Sequence, residues 1–308
     1  LVIGGGTAGL RAAVSAAESG ASVIILQKGP PGMGIVGFNS PTSNPADNPS
    51  SYFENTVSAS GYIGNPALIA ILANEAIDEV SYLEGLGISF QHENTYAPHL
   101  TSGNQVARTI YTTDKTGPNI IQMLTRKSHD LGVKVFHRKQ AISLLKKDLQ
   151  VIGAVIVDTE KWELEAYFAR AVVLATGGIG QLFTRSTNPK DLSADGYALA
   201  YQANAELVDM EFVQFEPFVL LAPRLSEVFT VSFLLDNHPK IYNSHHEEFL
   251  KNGGEGLGKD EISRAIFEQL RSGNGSPLGG IYFDLTSVKP EKIKEHERKY
   301  GREGWVGR

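Results

Sequence analysis

Cysteine is absent from this 308-residue chain. Its absence excludes disulfide bonds, thiolate nucleophiles and any iron–sulfur cluster held by cysteine thiolates of these residues. Long hydrophobic runs are also missing: apolar runs such as Ala171–Ala175 are far shorter than the roughly 20 residues of a membrane span. Acidic residues outnumber basic ones, and the net charge of -6 argues against nucleic acid as the main partner, because phosphate binding favours a basic surface.

The composition is typical of a soluble globular protein, with 42% hydrophobic and 20% charged residues. The length suffices for one large α/β domain, alone or with a smaller companion. No signal peptide is visible. Because the chain opens directly inside a strand-like Leu-Val-Ile, we expect the natural protein to begin upstream of Leu1, with room for a targeting segment.

Hydrophobic periodicity predicts a β–α–β unit at the start of the chain. Its parts are a buried strand at Leu1–Ile3, an alanine-rich helix at Ala8–Ser19 that ends at Gly20, and a second buried strand at Ser22–Leu26. Residues 29–49 are dense in Gly, Pro, Asn and Ser, and this composition predicts a long irregular loop, which in a compact domain is functional or disordered.

The rest of the chain continues the alternation of helices and strands. Residues 140–173 are predicted to form a meander that returns to the sheet, and residues from about Phe218 are predicted to form a second, smaller domain. Asp260 is expected to cap the one clear helix of that second domain. The other predicted elements are helices at Pro66–Leu86, Thr116–Leu131 and Asp260–Leu270, and a strand at Val133–Phe136.

A glycine-rich turn lies between the first strand and the first helix. Its sequence, Gly4-Gly5-Gly6-Thr7-Ala8-Gly9, fits the G-x-G-x-x-G pattern of dinucleotide-binding turns. Gly4 permits the tight turn, Gly6 lets the backbone approach a diphosphate, and Gly9 lets the helix pack on the strand. The backbone N–H groups at the helix start, including those of Thr7 and Ala8, provide the anion site. The alternative is a glycine-rich turn without a ligand.

The residue at the end of the second strand is usually acidic in such folds, where it binds ribose hydroxyls. Here that residue is Gln27. Its side-chain carbonyl can accept one hydroxyl hydrogen, but without a charge the bond is weaker by about 1 kcal/mol. The alternative is that Gln27 merely faces solvent.

Four further segments resemble those of the fumarate reductase/succinate dehydrogenase flavoprotein family, in the same order and spacing. They are A-V-V-L-A-T-G-G (171–178), the stretch from S-A-D-G-Y to E-F-V-Q-F-E-P (193–217), A-R-T…D-K-T-G (107–117) and G-K-D-E-I-S-R-A-I (258–266). The resemblance covers nearly the whole chain.

The resemblance implies an α/β fold: a Rossmann-type FAD-binding domain, residues 1–217, with an inserted smaller α+β capping domain, residues 218–308. The family's FAD domain normally resumes after the cap, and no such segment precedes Arg308, so we expect the chain to be a fragment. The resemblance adds cofactor-binding positions to the glycine-rich turn and Gln27: Lys28, Gly34, Ala141, Ala175, Thr176, Gly177 and Asp195. Residues 28–60 contain no histidine for a covalent flavin link, so FAD is predicted to be non-covalent.

The resemblance also implies the chemistry, which is hydride exchange between flavin N5 and a substrate carbon, with an arginine that moves a proton. This sequence departs from that pattern: Lys259 stands where the family has the catalytic arginine, and Glu216 where it has a carboxylate-binding histidine. Glu227 of the proton route is retained, but Thr230 replaces its arginine. Lys259, Glu216 and Glu227 are the candidate catalytic residues. Glu216 and Lys259 could alternatively neutralise each other as an ion pair.

Three functions stay open on the sequence. The first is an FAD-dependent oxidoreductase acting on an activated C–C bond, whose small organic substrate is a carboxylic acid or a molecule that presents a cationic or hydroxylated group to Glu216. The second is a flavin-binding electron-transfer or scaffold subunit with a degenerate substrate site. The third is a nicotinamide enzyme that binds NAD at the Gly4 turn.

Partners and location follow from the resemblance. We expect a separate iron–sulfur subunit as well as a cytoplasmic location, with peripheral membrane association through a partner as a second option. Neither nucleic acid nor a membrane span of the chain itself is expected. The adjacent His245 and His246 indicate a solvated loop; a metal pair is the alternative, and no metal site is predicted.

Overall fold

The computed structural model describes residues 1–31, 37–41, 47–90, 106, 108–112, 115–219, 221, 239–254, 257–286 and 289–291. The chain divides into two compact units. The first comprises Leu1–Ser43, Ala70–Glu93 and Ile110–Glu211, and the second comprises Asn44–Ile69, Asn94–Thr109 and Phe212–Arg308. The division between residues 217 and 218 that the sequence suggested stays a prediction.

A parallel four-stranded sheet forms the centre of the first unit. Strand β1 (Val2–Ile3) lies between β2 (Ile24–Gln27) and β9 (Val173–Leu174), and β5 (Lys134–His137) lies on the other side of β2. All three pairings are parallel. The predicted α/β class is therefore confirmed, and the carboxyl ends of these strands meet at one edge of the sheet.

Helices cover one face of this sheet because their apolar residues recur at helical spacing. Helix α1 (Thr7–Glu18) buries Leu10, Ala13 and Val14, and α4 (Thr116–Asp130) contributes fully buried side chains such as Leu124 to the same core. The C-terminal half of α3 (Pro66–Gly85) adds Val80 to this core. These helices and β2 match their predicted positions to within two residues.

An antiparallel sheet packs on the other side of the first unit, as the predicted meander requires. Its strands are β6 (Lys139–Lys147), β7 (Gln150–Asp158) and β8 (Glu163–Phe168), in that order. Ala154 and Ile156 of β7 are fully buried in a core that includes Ile3, Leu26 and Leu199.

A buried lysine ties the three antiparallel strands together at one end. Lys139 Nζ lies 2.7 Å from Asp158 Oδ2 and 2.5 Å from Glu165 Oε1. Burial lowers the pKa of the Lys139 ammonium, but the hydrogen bonds to the two carboxylates outweigh burial and the pKa is raised. The hydrogen bond from Lys139 lowers the pKa of Asp158. All three groups therefore stay charged near neutral pH.

The second unit has its own sheet and core. Strands β11 (Glu248–Leu250), β10 (Lys240–Tyr242) and β12 (Tyr282–Asp284) form an antiparallel sheet in that order. Helix α6 (Lys259–Arg271) packs on it, and Phe218, Ile241, Leu250 and Ile262 form the buried core.

Two local predictions were wrong or incomplete. The N-cap of α6 is Gly258 and not Asp260, because Glu261 accepts a hydrogen bond from the Gly258 N–H at 2.8 Å and the helix starts one residue earlier. The loop predicted at residues 29–49 is followed directly by a helix that was not predicted, α2 (Pro49–Ala59). Its N-cap is Asn48, whose Oδ1 accepts from the Ser51 N–H at 2.9 Å. An Asn-Pro pair at a helix start is a recognisable signal.

The remaining elements are short. They are β3 (Phe38–Asn39), β4 (Thr109–Ile110), α5 (Asp195–Gln202) and 3₁₀ turns at Gly180–Leu182 and Lys251–Gly254. None of the helices within the described ranges has both the length and the apolar character needed to cross a bilayer.

A fully buried ion pair lies beside α2 in the second unit. Arg108 Nε and Nη2 donate to Asp47 Oδ2 and Oδ1 at 2.9 and 3.0 Å, and their side chains are 1% and 0% exposed. Nη2 also donates to Asn55 Oδ1 at 2.9 Å, and the guanidinium lies 4.7 Å from the centroid of the Tyr52 ring. Arg108 is the arginine of the A-R-T segment.

We predict that Arg108→Met lowers the free energy of unfolding by about 3–5 kcal/mol, because Asp47 is left as an unpaired buried charge. Denaturant unfolding measures this loss. Arg264→Met is the matched control, since the Arg264–Asp260 pair is 69% and 75% exposed and contributes little. The double variant Arg108→Met/Asp47→Leu is expected to lose less than Arg108→Met alone. A loss below about 1 kcal/mol for Arg108→Met would contradict the prediction.

Candidate functional site

The glycine-rich turn is closely packed against two strand ends. Gly4 has a φ of +108°, and its N–H donates to the Leu26 carbonyl at 2.8 Å. A Cβ at Gly4 would lie 2.1 Å from the Ala175 carbonyl oxygen, and a Cβ at Gly9 would lie 1.9 Å from the Gly4 carbonyl oxygen. Glycine at both positions is therefore required for the close approach of β1, α1 and β9.

The other side of the same turn is open and polar. A Cβ at Gly6 would meet no atom within 4 Å, and no side chain caps the helix that starts at Thr7. The Thr7 hydroxyl is buried and has no hydrogen-bond partner within the described residues. The first N–H groups of a helix have no intrahelical acceptor, and they carry its positive dipole end. An orphaned hydroxyl beside free amides and open space fits a bound diphosphate.

Gln27, the last residue of β2, is 6% exposed, so it does not face solvent. Its Nε2 donates to the Gly29 carbonyl at 2.6 Å. One amide hydrogen is thus committed to the loop that follows the strand, while the side-chain carbonyl lies against Gly5, whose Cβ would come within 2.4 Å of it.

Lys28 joins the end of β2 to the start of α5. Its Nζ donates to Asp195 Oδ2 and Ser193 Oγ, each at 2.8 Å, and to the Asp191 carbonyl at 3.2 Å. We call residues 27–29 and 191–195 with these bonds the β2–α5 clasp. The clasp places the only predicted acidic cofactor contact, Asp195, at the edge of the sheet where the phosphate turn lies.

The Asp195 carboxylate is held by donors from three segments. Besides Lys28, Ser193 Oγ donates to Oδ1 at 2.9 Å and Gln140 Nε2 donates to Oδ2 at 3.3 Å. Burial raises the pKa of this carboxyl, but these hydrogen bonds outweigh burial and the pKa lies below its usual value. Ala194, just before it, adopts a left-handed φ of +66°, a conformation uncommon for a residue with a side chain. Asp195 is therefore ionised at neutral pH and fixed in direction.

The A-T-G-G segment continues β9 toward the same edge of the sheet. The Ala175 N–H donates to the Ile3 carbonyl at 2.8 Å, so pairing with β1 extends to the residue before Thr176. Thr176 Oγ1 packs against the first turn of α5, where a Cβ at Gly196 would lie 1.9 Å from it. Gly177 has a φ of +77° and turns the chain away from the strand.

Two other predicted cofactor positions differ in their surroundings. Ala141 lies on β6 with its side chain 7% exposed in the core, so only its backbone is available to a ligand. Gly34 lies outside the described residues.

The predicted substrate residues of the second unit form the alternative ion pair. Lys259, the first residue of α6, has its Nζ 2.8 Å from Glu216 Oε2, with the side chains 38% and 18% exposed. A cation at a helix N-terminus faces the positive end of the dipole, and the Glu216 carboxylate offsets that repulsion. Glu227 and Thr230 lie outside the described residues.

His245 and His246 lie in the turn between β10 and β11. The His245 N–H donates to Asn243 Oδ1 at 2.9 Å, and the His246 ring stacks on Tyr282 with centroids 5.9 Å apart. No group of three metal-binding side chains was found in the part of the chain that the structure describes.

Sequence reasoning missed Ser193 and Gln140, which orient Asp195. The short spacing of Ser193 and Asp195 before a helix is a local signal that could have been used. Gln140 gives no such signal, because its role arises only when β6 packs beside α5.

Comparison with known proteins agrees with this geometry. A family model described as an FAD binding domain matches residues 1–303. An uncharacterized FAD-dependent oxidoreductase of Methanocaldococcus jannaschii is 33% identical over 308 residues, covering 96% of this chain and 56% of that protein. A fumarate reductase (CoM/CoB) subunit of Methanothermobacter marburgensis is 32% identical over 309 residues, with the same 96% and 56% coverage.

A solved structure, Mycobacterium smegmatis Sdh1 in complex with UQ1, has a TM-score of 0.80 at 31% identity, covering 96% of this chain and 53% of that chain. The chain thus spans about half the length of the relatives it matches. The phosphate turn and the A-T-G-G segment, first noted as a resemblance, agree with a family match that extends over almost all residues. The chain belongs to the FAD-binding-domain family of the fumarate reductase and succinate dehydrogenase flavoproteins.

Proposed function

We propose that the whole protein is an FAD-dependent oxidoreductase that adds or removes hydrogen across an activated C–C bond. The observation that carries the proposal is the phosphate turn, where the helix amides beside Gly6 face open space and the buried Thr7 hydroxyl has no partner among the described residues, at the sheet edge that also holds Asp195. Bound FAD supplies the hydride exchange, at flavin N5. The residues of the chain bind and orient the cofactor and move protons.

The first unit has residues suited to each part of the cofactor. The backbone amides of Gly6, Thr7 and Ala8 would hold the diphosphate, with Gly9 allowing the helix to pack. The ionised Asp195 would accept a ribose hydroxyl, since Oδ1 has capacity for an acceptor bond beyond that from Ser193. The backbone of Thr176 and Gly177 would line the cofactor as the strand ends.

The ion pair of the second unit supports a substrate other than a simple dicarboxylate. Lys259 can donate a proton, and its ammonium is already neutralised by Glu216. Glu216 would repel a substrate carboxylate and attract a cationic or hydroxylated group. We propose that the substrate is an unsaturated acid in which a cationic or hydroxylated group takes the place of the second carboxylate.

A separate redox partner fits the composition of the chain. These residues include no cysteine, so they hold no thiolate-ligated iron–sulfur cluster. One of the relatives is itself named as one subunit of a fumarate reductase. We propose that the partner is an iron–sulfur subunit. The two subunits would associate in the cytoplasm or at a membrane surface to which the partner is bound.

We predict that Asp195→Asn weakens FAD binding by roughly tenfold or more, because a charge-assisted hydrogen bond becomes a neutral one and Lys28 loses its counter-charge. Titration of the full-length apoprotein with FAD, followed by quenching of flavin fluorescence, measures the dissociation constant. Asp148→Asn, on the exposed β6–β7 turn, is the control and should leave it unchanged. Full-length protein that is colourless and takes up no FAD would refute the proposal.

The predicted non-covalent attachment has its own test. Acid precipitation of the full-length holoprotein should release the yellow colour into the supernatant. Colour that stays with the precipitated polypeptide would contradict it.

We further predict that Lys259→Met slows reoxidation of anaerobically reduced protein by unsaturated acids about 10²-fold or more, the range for loss of a general acid. Stopped-flow absorbance follows the flavin. Arg264→Met, on the same helix, is the control. Glu216→Gln should improve the relative rate with fumarate over acids that carry an amino or hydroxyl group. If no unsaturated acid reoxidises the wild-type flavin while a protein partner does, the electron-transfer or scaffold alternative is correct.

A further inference from the structure

We infer that Gln27 is a positioning residue for the adenosine side of the cofactor, and that it acts as a hydrogen-bond donor where the fold usually has an acidic acceptor. The inference rests on FAD binding at the Gly4 turn. The direction of the amide is fixed by its partner: a backbone carbonyl only accepts, so the nitrogen and not the oxygen of the side chain faces Gly29 at 2.6 Å.

The side chain of Gln27 is confined between two cofactor-binding segments. On one side it bonds to Gly29, in the loop after β2. On the other, its oxygen lies so close to the phosphate turn that a Cβ at Gly5 would be 2.4 Å away. A side chain at Gly5, a variable position of the G-x-G-x-x-G pattern, would displace the Gln27 amide from this place. The side chain therefore lies between the phosphate turn and the loop.

The residue after Gln27 belongs to the same clasp. Lys28 follows directly and reaches Asp191, Ser193 and Asp195 across the β2–α5 clasp. On the β2 side of the clasp, the Gln27 amide donates to the Gly29 carbonyl. On the α5 side, Asp195 supplies the negative charge at this edge of the sheet. In this arrangement the acceptor for a ribose hydroxyl is Asp195, at the start of α5, and not the residue at the end of β2.

A glutamate at this position would be a poor substitute. An ionised carboxylate has no hydrogen for the Gly29 carbonyl, and it would place a second negative charge beside the clasp. Charged and titratable groups near Gln27 are Lys28 and Asp195 in the clasp, Asp191 beside Gly29, and His137, its register partner on β5. A protonated glutamate would restore the missing donor, because its O–H can replace the amide N–H.

These features make the pH dependence of Gln27→Glu the decisive measurement. In the full-length protein, FAD dissociation constants are measured from pH 5 to 9 for the wild type, Gln27→Glu and Gln27→Met, each expressed relative to the wild type at the same pH. This ratio removes the contribution of His137 and of other shared groups.

At pH 8 we expect Gln27→Glu to bind FAD about tenfold more weakly than the wild type, the effect of one lost hydrogen bond with a misplaced charge. Burial raises the pKa of a carboxyl, so protonation on acidification should occur within the range tested and return the affinity toward that of the wild type. Gln27→Met has no donor at any pH and should stay weak throughout.

The opposite sign would overturn the inference. If Gln27→Glu binds FAD more tightly at pH 8 and loses that gain on acidification, residue 27 acts as the usual ribose acceptor. Wild-type affinity in Gln27→Met would overturn it equally. A wild type that takes up no FAD would instead refute the proposed function, so the two failures are distinguishable.

Discussion

The close approach of three backbone segments at Gly4 is the constraint on which the cofactor-binding unit depends. The Gly4 N–H bonds to the end of β2, and its α-carbon faces the end of β9 with no room for a side chain. This contact brings the start of α1 to the point where three parallel strands end. Three features share this edge of the sheet: the free amides of the helix, the clasp and the A-T-G-G segment. Each continues one of the strands that meet at Gly4.

The two units contribute different electrostatics. In the first, the proposed cofactor contacts are backbone N–H groups for the diphosphate and one carboxylate, held ionised by three donors, for a ribose hydroxyl. In the second, the charges of Lys259 and Glu216 largely cancel. The first arrangement is independent of side-chain identity at most positions, whereas the second depends on two side chains. On the proposed roles of Lys259 and Glu216, a change of these two side chains would alter substrate preference and leave the diphosphate site of the first unit as it is.

The elements with strong hydrophobic periodicity could be predicted from the sequence. The β1–α1–β2 unit and α4 were found within a residue or two, because burial of one helix face or strand is encoded locally. The meander predicted at 140–173 corresponds to β6–β8 at 139–168, and β9 follows at Val173–Leu174. The N-terminus of α6 was misplaced, since Asp260 and Gly258 are both acceptable near a helix start and only the Glu261 contact decides between them. Helix α2 was missed because its polar sequence resembles the loop before it.

The candidate site was predictable in its backbone and not in its side-chain network. A glycine in the sequence indicates where the backbone needs a positive φ or a close approach. The turn could therefore be recognised from its glycines, with a physical reason for each. The contact of Gln140 with Asp195 joins residues 55 positions apart, and the Gln27 side chain lies against Gly5, which stands 22 positions earlier. No local pattern indicates which hydrogen of an amide will be used, and only the folded arrangement specifies it.

The pairing of β1 with β9 also governs the order in which the protein can mature. Strand β1 leaves the ribosome long before β9, one of its two neighbours, and Lys28 must wait for Asp195, which follows 167 positions later. Contacts of such long sequence separation form slowly. Until β9 and α5 have been synthesised and have docked, the nascent β1 has one edge unpaired and Lys28 lacks its carboxylate partner. A coenzyme that needs both neighbours of β1 in place would therefore bind late in biogenesis, once the sheet is paired on both sides of that strand.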